Sequence, residues 1–213
     1  MAFARELNAH IRTDFVIKLP TISEHQPDFA FMDEYINELK CDISKVPEYF
    51  LNEGYNKAFW LIDNIDQHAF EQDYAPQYND RKLKLTDRKW KCFNLSAVFS
   101  KIKNGKSYNI SELTVAADGD DYVSYVTRTG ENNGIALYAE ALEYEGMEKA
   151  NAITIGDTTA TIFFQDHDFI TGPHIIVIRA DWLNVYTANF IITLLNQEKY
   201  RYPVFGRAFT KFL

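Results

Sequence analysis

Between Phe31 and Leu39 apolar side chains return every three or four positions. Phe31 and Met32, Tyr35 and Ile36, and then Leu39 share one stripe, while Asp33, Glu34, Asn37 and Glu38 fill the other. That is the period of an amphipathic helix, predicted over residues 28–40, with Pro27 and Asp28 at its start and the Asp28 carboxylate near the positive end of the dipole. A second helix is expected over 187–200, where Phe190, Ile191, Leu194 and Leu195 repeat with helical spacing. Elsewhere the pattern is that of strands. YVSYVTRTGENNGIALYA (122–139) is two β-rich runs joined by a Gly/Asn turn, and AITIGDT, TATIFFQDHDF and HIIVIRA are short β-branched runs broken by Gly156-Asp157 and Gly172-Pro173. FNLSAVFSKI (93–102) is compact and partly amphipathic, GKSYNISEL reads as a loop, and FVIKLP (15–20) ends in a proline. The resulting fold class is α+β. Residues 1–45 form an N-terminal segment with the amphipathic helix, 46–89 a polar connection partly packed on the rest, and 90–213 a β-rich domain with packed helices.

A chain of 213 residues, 46% hydrophobic and 15% aromatic, can bury a full core. It has no apolar run of about 18 residues, and Arg5, Glu6, Arg12 and Asp14 interrupt its start, so neither a membrane span nor a signal peptide is expected and the default location is cytoplasmic. Cys41 and Cys92 lack metal-ligand spacing and read as reduced thiols. A net charge of −8 argues against a nucleic-acid binder, yet its distribution changes that picture. Residues 81–110 carry nine cations and one anion, residues 111–178 two cations and twelve anions. One polyanion-facing surface would look like this, and so would an ordinary solvated face.

PDFAFMDEYINELK (27–40) also spells the motif of metal-dependent PD-(D/E)xK nucleases, with Asp28, Glu38 and Lys40 as its site. On a helix those carboxylates stand ~15 Å apart and point in different directions, so they cannot share a cation. DGDD (118–121) and QDHD (165–168) lack the spacing of a calcium loop or zinc site. Gly105-Lys106-Ser107 lacks the upstream glycine of a phosphate loop, and the methyl-donor signatures of DNA methyltransferases are absent. No catalytic residue, metal or cofactor is expected.

WKCFNLSAVFSKIKNGKS from Trp90, YVTRTGENNGI, NAITIGDTTATIFFQDHDFITGPHIIVIRA and YTANFIITLLNQEKYRYPVFGR occur in that order. Together they resemble the target recognition domain of restriction-modification specificity proteins, the S subunits of Type I systems and the related domains of Type II enzymes. The resemblance covers about 90–213. FVIKLPTISEHQPDFAFMDEYINEL is similar to the spacer that follows such a domain. FARELNAHI (3–11) and FGRAFTKFL (205–213) share a frame of Phe, a small residue and Arg, with apolar residues at the fifth and ninth places, as one repeat unit starting in its spacer would. The resemblance implies a non-catalytic reader of double-stranded DNA, with recognition loops in the major groove. Its implied partners are a DNA methyltransferase and possibly restriction subunits, with a possible homodimer through the helical spacer. There is room for one recognition domain, so a half-subunit and a fragment both stay open.

Within that frame Lys101, Lys103 and Lys106, with Arg81, Lys82, Lys84, Arg88 and Lys89, are candidates for phosphates, which fix position without reading bases. Ser107 and Tyr108 would add hydroxyl contacts. Arg128, Thr129, Glu131, Asn132 and Asn133 include the side chains suited to base edges, Arg for guanine, Asn for adenine and Glu for cytosine. The alternative for that stretch is a hairpin turn using Asn and Gly for positive φ. Arg207 and Lys211 are further phosphate candidates. Two other functions compete: a small nuclease using Asp28, Glu38 and Lys40, and a protein-interaction module whose 28–40 helix docks on a partner while the acidic 111–178 surface faces water or imitates DNA.

Overall fold

The amphipathic stripe near the N-terminus and the β-branched runs beyond Trp90 fold onto one another. The computed structural model describes residues 11, 15–44, 83–117 and 121–197, without the side chains of 40–44. Arg81, Lys82, Arg207, Lys211, residues 118–120, most of the 46–89 connection and nearly all of the repeated frame lie outside the described residues, as does the side chain of Lys40. In chain order the elements are β1 (Val16–Ser23), β2 (Gln26–Pro27), α1 (Phe29–Ser44), β3 (Lys89–Asn94), α2 (Leu95–Val98), β4 (Lys101–Asn104), β5 (Tyr122–Val126), β6 (Ile135–Glu140), β7 (Ala152–Gly156), β8 (Ile162–Gln165), β9 (Phe169–Thr171), β10 (Ile175–Arg179) and α3 (Val185–Gln197). With ten strands and three α-helices among the described residues, the fold is a β-rich α+β.

Asp28 starts α1 as its position before the apolar stripe predicts. Its buried carboxylate accepts the Phe31 N–H at 3.0 Å, capping the first turn. Its second oxygen accepts from Arg88 Nε at 2.8 Å, and that guanidinium lies 4.9 Å from the centre of the Phe31 ring. Glu38, further along the helix, accepts the Leu83 N–H at 3.2 Å. The two carboxylates of the nuclease-like text therefore hold the chain entering β3 at two separate points. Among the described residues no group of three or more His, Cys, Asp or Glu side chains is placed to hold a metal ion.

β1 lies between β2 and β3 and pairs antiparallel with β3, from Val16 opposite Asn94 to Thr21 opposite Lys89. It runs through Pro20 rather than ending there. The Pro20 carbonyl accepts the Asp28 N–H at 2.9 Å, on the side where the chain has already left β2 for the helix. The N–H that proline lacks would point to that same side, so no ladder bond is lost.

The four-stranded antiparallel sheet β4-β10-β7-β8 sits at the centre. Alternate side chains of a strand face opposite ways. Ile176, Ile178, Ile153, Ile155 and Ile162 enter the main core with Ile17, Leu19, Met32, Leu95, Phe190 and Ile191. Ile175 and Val177 face the other way, against Val126 of β5 and Phe169 of β9. Covered on both faces, β7 and β10 read in sequence as nearly unbroken apolar runs. The outer sheet is β6-β5-β9, where β5 runs antiparallel to β6 and parallel to β9. α1 packs on α3, with Tyr35 edge-on to Phe190 at 5.9 Å, and Phe29 stacks on Trp182 at 3.9 Å. Val16–Ser44 and Lys89–Gln197 thus contribute to one core.

Asp28→Ala removes the cap and frees Arg88. The expected loss is about 1–2 kcal/mol of stability, read as a lower urea midpoint with an unchanged slope.

Candidate nucleic-acid interface

Four cations of the basic stretch meet carboxylates: Arg88 with Asp28, Lys91 with Glu24, Lys103 with Glu148 and Lys106 with Glu145. Glu148 is buried to 4% exposure and is flanked on its other side by Arg179 Nη2 at 3.3 Å. Arg179 also donates from Nη1 to the Ala150 carbonyl at 2.7 Å. A carboxylate removed from water in this way needs its cations, and Lys103 and Arg179 supply them. The Lys106–Glu145 pair is a surface one. Its hydrogen bond holds Lys106 above its ordinary pKa and Glu145 below its own.

Ser107 forms an isolated bridge with Thr171, and Tyr108 donates its hydroxyl to the Glu145 carbonyl at 2.8 Å while its own carbonyl accepts the Tyr125 hydroxyl at 2.7 Å. Lys103, Lys106 and Tyr108 therefore fasten the acidic connection around residues 144–148, and Ser107 ties its own segment to β9. Lys84, Lys89 and Lys101 are exposed, and their side-chain amines have no carboxylate partner among the described residues.

Arg128 has different surroundings. It follows β5, donates from Nη1 to Thr158 Oγ1 at 2.7 Å, and its carbonyl accepts the Thr159 hydroxyl at 3.2 Å. Its stem passes over Gly156. A Cβ on that glycine would fall 3.2 Å from Arg128 Cγ and 2.5 and 2.6 Å from the Thr161 and Thr159 hydroxyl oxygens, so the close approach requires glycine. The next residue, Asp157, is buried and accepts from His174 Nδ1 at 3.2 Å, while its Oδ1 has no hydrogen-bond partner among the described residues. Burial pushes the Asp157 carboxyl above the ordinary aspartate range, with His174 and Arg128 pulling the other way. His174 itself adopts φ 65°. The connections after β5, β7 and β9 thus converge at one end of the two packed sheets.

The remaining turn candidates serve the hairpin. Asn132 and Asn133 adopt φ 46° and 54°, as a tight turn requires. Asn132 Nδ2 donates to the Ile135 carbonyl at 3.2 Å and Asn133 Nδ2 to the Phe164 carbonyl at 2.8 Å. The Thr129 hydroxyl accepts the Glu131 N–H at 3.3 Å. Both asparagines stay exposed, each with one amide hydrogen committed to the backbone. Asn133 lies against β8 and Lys101 is on β4, the opposite edges of the four-stranded sheet, which at the usual strand spacing are roughly 14 Å apart.

Sequence reasoning passed over Asp157, Thr158, His174 and Arg179. Gly156-Asp157 and Gly172-Pro173 were visible as breaks between strands, but it takes the antiparallel pairing of β7 with β10 to set Asp157 beside His174, and the parallel pairing of β5 with β9 to bring Gly172 beside the chain leading to Arg128.

A β-rich domain that gathers Arg, Thr and His on converging loops has the build of a ligand-reading module. The family model of the Type I restriction modification DNA specificity domain matches residues 87–212, and the chain belongs to that family. It is a sequence-specificity module for DNA in a restriction-modification system. Proteins of this family bind DNA and associate with methyltransferase subunits, and their specificity domains are in general non-catalytic. No curated protein and no solved structure matches the chain. No helix among the described residues is long and apolar enough to cross a membrane.

Lys103→Met removes one of the two cations beside Glu148 and is expected to cost about 1–3 kcal/mol of stability while leaving the salt dependence of DNA binding unchanged. A log–log salt slope shallower by ~0.9 would place the amine on a phosphate instead. Asp157→Asn gives the opposite stability effect. Because the folded-state pKa is raised, ionisation of Asp157 weakens the fold as pH rises from the ordinary aspartate range through the raised value. The asparagine variant loses that decline, so its urea midpoint at neutral pH is expected to equal or exceed the parent's.

Proposed function

We propose that the chain reads a short duplex sequence through the connection between β5 and β6, with Arg128 as the principal base contact. The observation that carries this reading is the preorganisation of Arg128: its guanidinium is held by Thr158, its stem is seated over Gly156, and it remains partly exposed. Arginine presents a fixed fork of donors that matches the O6 and N7 acceptors of guanine in the major groove. Thr129, Asn132 and Asn133 shape the same connection and approach the DNA beside it.

Lys101, exposed and unpaired among the described residues, is the leading phosphate contact of its strand, with Arg207 and Lys211 as further ones. Lys103 positions that part of the surface through Glu148, and Lys106, Ser107 and Tyr108 approach the backbone from it. Methylation and cleavage come from separate methyltransferase and nuclease subunits, and the chain itself works without catalysis, in the cytoplasm where its DNA target lies. Residues 1–45 act as the spacer and 90–213 as the recognition domain, joined by 46–89. The shared core of Val16–Ser44 and Lys89–Gln197 supports a spacer docked rigidly on the reader, through which two copies pair.

The test is selection of duplexes from a randomised library by the purified chain. The wild type is expected to enrich one short sequence, and equal retention of all duplexes would sink the reading. Arg128→Ala is expected to weaken binding to the enriched duplex by ~1–3 kcal/mol and to relax preference at one base pair, with little change in thermal stability.

A further inference from the structure

We propose that His174 grips a backbone phosphate of the same duplex and that Asp157 is the positioning residue that presents it. This rests on the DNA-reading function proposed above and assigns a contact from a different connection, the turn between β9 and β10.

The geometry is that of a presented imidazole. The Asp157 side chain is 3% exposed and the His174 side chain 44%, so the carboxylate sits beneath the ring. Its Oδ2 meets Nδ1 at 3.2 Å, and a carboxylate accepts from an N–H, which leaves Nε2 on the open side of the ring. The backbone keeps the ring there. His174 is in the left-handed region at φ 65°, behind Gly172-Pro173, and the Asp157 N–H donates to the His174 carbonyl at 3.1 Å. The two residues therefore hold each other through side chain and main chain together. Neither arrangement is needed to fill a core. Both lie at the end of the sheets where Arg128 emerges.

Reach decides between phosphate and base edge. An imidazole rooted in a tight turn extends only a short way from the backbone, which suits the outer phosphates, whereas the longer Arg128 on the neighbouring connection can enter the groove. A phosphate accepts and does not donate, so Nε2 must carry a proton while Nδ1–H is held by Asp157. The ring that grips a phosphate therefore donates from both nitrogens, Nδ1–H to Asp157 and Nε2–H to the phosphate. The charged and titratable groups around it are Asp157 and Arg128, with the Tyr125 hydroxyl beneath Gly172 and already donated to the Tyr108 carbonyl.

The experiment uses the full chain and the duplex that the wild type enriches from a randomised library, with affinity measured across salt concentration. His174→Asn keeps a residue tolerant of positive φ and removes the ring. It is expected to select the same sequence and bind it several-fold more weakly with a salt slope shallower by ~0.9. Asp157→Asn, which retains an oxygen for Nδ1–H, is expected to keep the wild-type slope, and Asp157→Ala to resemble His174→Asn. A His174→Asn variant with wild-type affinity and slope overturns the phosphate contact. Loss in both Asp157 variants or in neither overturns the positioning role, and if the alanine variant melts below the assay temperature the asparagine variant alone decides it. A wild type that enriches no duplex overturns the reading function and this contact together.

Discussion

Burial of β7 and β10 on both faces is the constraint from which the rest of the structure takes its positions. Ile153, Ile176, Val177 and Ile178 are at most 1% exposed, and each such side chain contributes on the order of 1.5–3 kcal/mol on leaving water. Strands clamped between a helical layer and a second sheet cannot slip by one residue, because a slip would exchange their two apolar faces and misplace every partner. The ends of these strands are fixed with them. Asp157 leaves β7 and His174 enters β10 at one end, while Arg179 closes β10 at the other and compensates Glu148. Loops that would otherwise wander thus begin and end at points set by the core.

The charge pattern of the chain makes sense against that frame. A basic stretch and an acidic stretch far apart in sequence look like two separate surfaces. In the fold they partly cancel, since Lys103 and Lys106 reach Glu148 and Glu145 across the packed sheets. The cationic character left over is correspondingly smaller than a count of lysines indicates, and among the described residues it includes Lys101 and Arg128, neither of which forms an ion pair with a carboxylate. Specificity by a few well-held groups, with modest help from bulk charge, suits a chain of net charge −8.

What was legible in the sequence was whatever has a local period. The helix begun at Asp28, the helix through Phe190 and Leu195, and the β-branched runs all appear where their spacing put them. What was not legible depends on partners distant along the chain. Pro20 looks like an end until Asp28 is seen to occupy the side its missing N–H would have faced. The second role of Asp28, holding Arg88, spans 60 residues. The Asn132-Asn133 turn could be recognised as a turn, but not that its amides bond Ile135 and Phe164. The Asp157–His174 pair needs the β7–β10 antiparallel register, with Ile175 opposite Gly156, which no periodicity encodes.

The Asn133 amide has one more effect. The carbonyl of Phe164 that it covers is on the side of β8 away from β7, one of the acceptors an incoming strand would use. The opposite rim, β4, is four residues long and carries Lys101 and Lys103. A short charged rim on one side and a plugged acceptor on the other leave the central sheet poorly suited to templating growth by a neighbouring molecule, with little tendency to extend into a continuous sheet and aggregate.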